Sequence, residues 1–188
     1  MVAAEREFRI ETSRLILRPP RDEDIEALFA RLAADAEVTR FVSWPRHRST
    51  EDTRAFLTFS RSEWQTWPVG PLLIESAASR VLLGSTGLSF ETAYRAATGY
   101  VLARDGWGKG FASEALAAVA ALAQRLGVRR LYALCHATHT PSMRVLERCG
   151  FELEGTLRRY LVFPTLGVAD PQDVRCYARI SAAGGVVS

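Results

Sequence analysis

The sequence predicts an α/β domain in which short strands alternate with helices, and three stretches carry that expectation. Tyr100, Val101 and Leu102 are strand formers that run through a glycine-bearing loop into a long alanine-rich helix. Residues 69–75 and 81–90 read as two strands joined by a polar turn. Residues 128–135 read as another strand, followed by a helix capped by Thr140, with Pro141 at its first position, where a missing N–H costs nothing. The chain of 188 residues is 48% hydrophobic and 24% charged, enough for one domain over residues 1–180 with a substantial core. The small residues of 181–188 read as a loose tail.

In chain order, residues 12–18 set Leu15 and Leu17 against Arg14, Ile16 and Arg18 as a first short strand, ended by Pro19-Pro20. Asp22 is the expected cap of a first helix, with Glu23 and Asp24 in its opening turn and Ile25, Leu28, Phe29 and Leu32 as its apolar face. A second helix begins near Ser49 or Thr50, with Phe56, Leu57 and Phe59 available for packing. Residues 91–97 read as a polar connection into the strand at Gly99. The helix after the glycines keeps Ala112, Ala115, Leu116, Val119, Leu122, Ala123 and Leu126 on one face, and Gly127 ends it. The helix after Thr140 runs to Cys149 and stops at Gly150. Residues 151–154 and 174–180 complete the strands, with an irregular stretch over 163–171 between them.

Composition excludes several classes of function. The 24 Lys and Arg against 21 Asp and Glu give a net charge of +3, interspersed along the chain rather than gathered in a basic block, so no nucleic-acid partner is expected. Cys135, Cys149 and Cys176 are odd in number and share no ligand-like spacing, which points to reduced thiols. Glu5, Arg6 and Glu7 stand where a signal peptide needs an apolar run, and no uncharged stretch spans a bilayer, so a cytoplasmic protein without a membrane partner is expected. His136 and His139 beside Cys135 lack the further ligand and the fixed turn that a metal requires, and no metal is expected.

Gly106, Gly108 and Gly110 let the backbone approach a ligand closely, and the helix that follows presents unpaired N–H groups and a positive dipole end. Either a plain strand-to-helix connection or a phosphate cradle fits, with Lys109 as a mobile point charge. A Walker loop is ruled out because Lys109 is followed by Gly110, and a dinucleotide fingerprint fails because Phe111 or Ser113 occupies the place of its third glycine.

The run Trp107-Gly108-Lys109-Gly110-Phe111-Ala112, followed by Ser113-Glu114-Ala115-Leu116, resembles the acetyl-coenzyme A loop of the GNAT superfamily of N-acetyltransferases. Tryptophan at 107, where the superfamily has Gln or Arg, is similar to the RimJ/RimL branch. The run from His139 to Phe151 resembles the second landmark of that branch through Ser142, Leu146, Gly150 and Phe151, with His139 in place of Asn. Residues 12–18 with Asp24, and Arg158, Phe163, Pro164, Leu166, Asp173, Val174 and Tyr177, extend the likeness over most of the chain.

The resemblance implies a central, mostly antiparallel mixed sheet, splayed at the cofactor strand and flanked by helices. It implies acetyl-coenzyme A as cosubstrate, held by Val101, Leu102, Ala103, Trp107, Gly108, Lys109, Gly110, Phe111, Ala112, His139 and Ser142, with an oxyanion-stabilising N–H near Leu102 or Ala103. Ser142 is the expected donor to the departing sulfur, since the position four residues later, a tyrosine in many GNAT enzymes, is Leu146. Glu91 is the candidate base, with Asp173 as a second carboxylate; both also read as surface or structural residues, and Ala97 stands where the branch often has Glu. Phe41, Trp44 and Pro45 line either the core or one wall of a substrate pocket, and Tyr94, Trp64, Trp67, Tyr160 and Phe163 either pack or shape that pocket. The implied acceptor is a primary amine, of a protein N-terminus or a small molecule, and the protein is a monomer or homodimer. A non-catalytic acetyl-coenzyme A sensor is the alternative.

Overall fold

The computed structural model describes residues 8–181. Eight strands form one sheet: β1 (Ile10–Glu11), β2 (Leu15–Arg18), β3 (Pro71–Ser76), β4 (Leu82–Thr92), β5 (Arg95–Leu102), β6 (Arg130–His136), β7 (Glu152–Leu161) and β8 (Gln172–Ile180). Their order is β1-β2-β3-β4-β5-β6-β8-β7, antiparallel throughout except for the parallel pair β5 and β6. The helices are α1 (Ile25–Leu28, continued by a π-helical turn over Phe29–Ala33), α2 (Thr50–Thr66), α3 (Phe111–Arg125) and α4 (Thr140–Arg148).

The sheet separates two cores. On one face α3 sets Ala115, Leu116, Val119 and Ala123 against Leu15, Leu17, Leu72, Leu88, Phe90, Ala96 and Leu102. Its alanines let the helix approach the sheet closely, and burying Leu116 contributes roughly 1.5–3 kcal/mol. On the opposite face α1 and α2 bury Ile25, Leu28, Leu32 and Leu57 with Leu73 and Ala103. Both α3 and α4 end at glycines with positive φ, Gly127 at 80° and Gly150 at 78°, and the next amide turns back to the helix in each case, Val128 to Ala123 and Phe151 to Leu146.

Several boundaries differ from the sequence reading. Asp22 does not cap α1: Asp24 is drawn beneath the chain by Arg18, whose Nη2 lies 2.7 Å from Oδ1, so residues 22–24 form a 3-10 turn and Asp22 pairs with Arg61 instead. Residues 91–97 are not a connection but the ends of β4 and β5, joined through Ala93 and Tyr94; their polar side chains pair across the exposed ladder, as Glu91 does with Arg95 and Tyr132. β7 continues to Leu161 because it is an edge strand, where alternation with solvent hides the apolar pattern. His139, rather than Thr140, occupies the cap position of α4. The reading of 181–188 as a tail lies outside the described residues, apart from Ser181. Among the described residues, no helix is long and apolar enough to cross a membrane.

Candidate active site

The site opens where β5 and β6 part. Their ladder joins Arg95, Ala96 and Ala97 to Arg130, Leu131 and Tyr132 and then stops, while β5 stays bonded to β4 as far as Leu102. The Ala103 N–H is committed to β4, donating to the Leu83 carbonyl at 2.8 Å; strand alternation therefore turns the Leu102 amide into the gap. Trp107 fastens the strand end to the loop, its indole N–H donating to the Leu102 carbonyl at 2.8 Å.

Beyond Trp107, Gly108 and Gly110 adopt φ of 72° and 81°, a region costly for any residue with a Cβ. A Cβ on Gly108 would meet nothing within 4 Å, and one on Gly110 would meet only Arg14 Nη2 at 3.4 Å. This open cradle precedes the first turn of α3, where the amides of Phe111, Ala112 and Ser113 have no intrahelical acceptor. Room, unpaired amides and the Lys109 ammonium fit a diphosphate. The loop is clamped from the turn just before β2: Arg14 Nη1 donates to the Lys109 carbonyl at 2.9 Å and Nε to Glu114 Oε2 at 2.7 Å. Glu114 Oε1 also accepts from Thr12 Oγ1 at 2.6 Å and from the Arg14 amide at 2.9 Å. Burial pushes the Glu114 carboxyl upward, but these hydrogen bonds outweigh it and hold the group below its ordinary range.

Across the gap, Tyr100 on β5 meets Ser142 in the first turn of α4, with 3.0 Å between the two hydroxyl oxygens. Burial pushes the Tyr100 phenol up to about 12, so it remains protonated and able to donate. His139 stacks on Phe41, ring centroids 4.4 Å apart, and burial keeps its imidazole below the ordinary histidine range. Cys135 is buried and its thiol pushed up to about 11, which makes it a poor nucleophile.

On the other face of β4 and β5 lies a cavity of about 810 Å³. The loop carrying Phe41 and Trp44, the start of α2 and Phe163 enclose it.

Residues 14–152 match the Acetyltransferase (GNAT) domain family. The chain belongs to the GNAT acetyltransferase family. It is 33% identical over 155 residues to the uncharacterized N-acetyltransferase YoaA of Bacillus subtilis (strain 168), covering 81% of this chain and 87% of that protein. The fold is shared with RimL, a ribosomal L7/L12 alpha-N-protein acetyltransferase solved with coenzyme A, at a TM-score of 0.83 and 24% identity over 94% of this chain and 100% of that one. It is also shared with the microcin C7 self-immunity acetyltransferase MccE, solved with acetyl-CoA and AMP, at a TM-score of 0.78 and 21% identity over 90% of this chain and 94% of that one.

The GNAT fold brings the expected cofactor residues 101–103 and 107–112 to one end of the gap, with Ser142 facing Tyr100 across it and His139 one turn away. It does not bring Glu91 there. That carboxylate sits at the far end of β4, is bonded to Tyr132 and Arg95, and is absent from the cavity lining. The Tyr132 hydrogen bond first, then Arg95, holds it below the ordinary range, which weakens it as a base. Asp173 is likewise engaged, accepting the Arg159 amide at 2.8 Å. Phe41, Trp44 and Phe163 line the cavity, whereas Trp67 stacks on Phe90 and Trp64 packs edge-on against Phe8. Tyr94 and Tyr160 are exposed. Among the described residues, no group of three or more His, Cys, Asp or Glu is placed to hold a metal. Sequence reasoning missed Tyr100, which reads as an ordinary strand aromatic, and the Arg14–Glu114 clamp, whose partners are 100 positions apart.

Proposed function

We propose that this GNAT protein transfers the acetyl group of acetyl-coenzyme A to a primary amine, of a protein N-terminus or a small molecule, by direct attack in a ternary complex. The observation that carries this reading is the Tyr100–Ser142 bridge, a hydroxyl pair at 3.0 Å set across the opening between β5 and β6. Coenzyme A in the RimL structure and acetyl-CoA in the MccE structure support the choice of cosubstrate. The alpha-N-protein activity in RimL's name supports an α-amine acceptor.

When bound, acetyl-coenzyme A supplies a thioester whose carbonyl carbon accepts the amine and whose C–S bond then breaks. The residues divide the remaining work. The loop amides at 111–113 and Lys109 hold the diphosphate. The Leu102 N–H, turned into the gap, stabilises the charge that develops on the carbonyl oxygen. With Tyr100 as donor to Ser142 Oγ, the serine hydrogen is free to hydrogen-bond the departing sulfur, and the proton that the nitrogen sheds on becoming an amide neutralises that thiolate. The amine must arrive neutral. At pH 7 an α-amine of pKa ~7.7–8.0 is roughly one-tenth neutral, against about one in several thousand for a lysine at ~10.4. With Glu91 and Asp173 engaged elsewhere, an α-amine that loses its proton to water is the acceptor this site serves best.

The test is thiol release from acetyl-coenzyme A in the presence of α-amines and lysine peptides, with cofactor binding measured on the same sample. Amine-dependent release, faster for α-amines, is expected. Tight cofactor binding with no release for any amine contradicts the reading.

A further inference from the structure

The floor of the acceptor cavity is unusually low. Ser85, Gly87 and Ser89 on β4 lie opposite Val101, Gly99 and Ala97 on β5, so five of these six register-matched positions carry nothing larger than serine. Around this trough stand Phe41, Trp44, Phe56, Phe59 and Phe163. A volume of about 810 Å³ is the size that encloses a drug-sized molecule or an amino-terminal residue with its neighbours.

Charge is as informative as shape. Among the described residues that line the cavity there is no lysine or arginine, and Asp52 is the carboxylate. Asp52 already accepts the amides of Arg48 at 2.7 Å and Ser49 at 3.1 Å. His47, the imidazole of the lining, is within 2.9 Å of Thr53 Oγ1 and is kept below the ordinary histidine range by burial. A polyamine or aminoglycoside would bring several ammonium groups to one occupied carboxylate. A free amino acid or a nucleotide would bring an anion to a floor and walls without lysine or arginine, the nearest guanidinium groups being those of Arg46 and Arg48 at the rim beside His47 and Asp52. Either carries a desolvation cost that an uncharged body does not.

We propose that the acceptor is an α-amine whose adjoining side chain is large and uncharged, seated on the serine–glycine floor among the aromatic walls. This rests on the acetyl-transfer reading above. Two sources share the chemistry: a peptide that begins with an aromatic or branched aliphatic residue, and a free amino-acid amide.

The experiment compares thiol release from acetyl-coenzyme A with hexapeptides beginning in Trp, Leu, Ser or Lys, with tryptophanamide, glycinamide and tryptophan, and with spermidine and kanamycin. Tryptophanamide and the Trp- and Leu-first peptides are expected to exceed spermidine, kanamycin and free tryptophan at least about tenfold in kcat/KM. The ratio of peptide to amide then identifies the source. Gly99→Leu fills the trough. A Cβ at Gly99 meets nothing within 4 Å and its φ lies outside the left-handed region, so the backbone tolerates it. It should lower kcat/KM for tryptophanamide at least about tenfold, mainly through KM, and spare glycinamide and acetyl-coenzyme A affinity. Ser89→Leu is a second filling variant, read the same way. Preference for spermidine, kanamycin, or the Ser- or Lys-first peptides overturns the inference, as does equal loss for glycinamide and tryptophanamide in both filled variants. No release with any amine despite cofactor binding overturns the transfer reading itself, and this inference with it.

Discussion

The two faces of the β4–β5 hairpin carry opposite kinds of residue in the same register. On one, Leu88, Phe90, Ala96 and Leu102 are buried beneath α3; on the other, Ser85, Gly87, Ser89, Gly99 and Ala97 leave a cavity. One pair of strands therefore supplies packing energy through one face and acceptor space through the other. Function is gained on the second face by withholding side chains, so stability and acceptor binding should respond to different substitutions.

The largest effect belongs to the packed face. Phe90 is 8% exposed and stacks on Trp67 with centroids 5.2 Å apart. Phe90→Ala should cost about 3–5 kcal/mol in urea denaturation, whereas Gly99→Leu should stay within about 0.5 kcal/mol of wild type. Similar losses for both would erase the contrast between the faces.

Tyr100 sharpens the contrast, since it keeps its ring against the core and its hydroxyl on Ser142. Tyr100→Phe should lower kcat about tenfold and cost about 1 kcal/mol of stability, for one hydrogen bond lost. A stability loss without any change in kcat would make the bridge structural.

The smallest effect is a pH dependence on the cavity side. His47 lines the cavity and His136 and His139 contact Phe41, and burial lowers the folded-state pKa of all three. Unfolded imidazoles take up protons near ~6.5, so below that pH the unfolded chain binds more protons. The stabilisation from keeping these groups neutral is full above about 6.5 and is lost as pH falls through the lowered folded values. The melting temperature should drop between pH 7.5 and 5.5, and His139→Asn should flatten the drop. An unchanged slope in that variant would show that His139 is not among the groups kept neutral.

How much of this was legible in the sequence follows from where the information lies. The cofactor end is written in two contiguous runs, 107–116 and 139–151, because a loop entering a helix must keep its glycines and amides adjacent in the chain. The fold class was legible for the same reason, since helix faces and glycine stops are local signals. The cavity is drawn from separate segments, and its floor consists of small residues that carry no periodic signal. Glu91 misled because a carboxylate beside a predicted pocket looks like a base until its partners, Tyr132 and Arg95, are in view. Tyr100 escaped notice because its meaning lies in Ser142, 42 residues away.

The measurement that bears most directly on the central claim is thiol release by wild type and Ser142→Ala, with calorimetric titration of acetyl-coenzyme A into both. The bridge predicts equal cofactor affinity and release slowed about 10²-fold in the variant. Equal rates, or loss of cofactor binding together with rate, would contradict the placement of acetyl transfer at the Tyr100–Ser142 bridge.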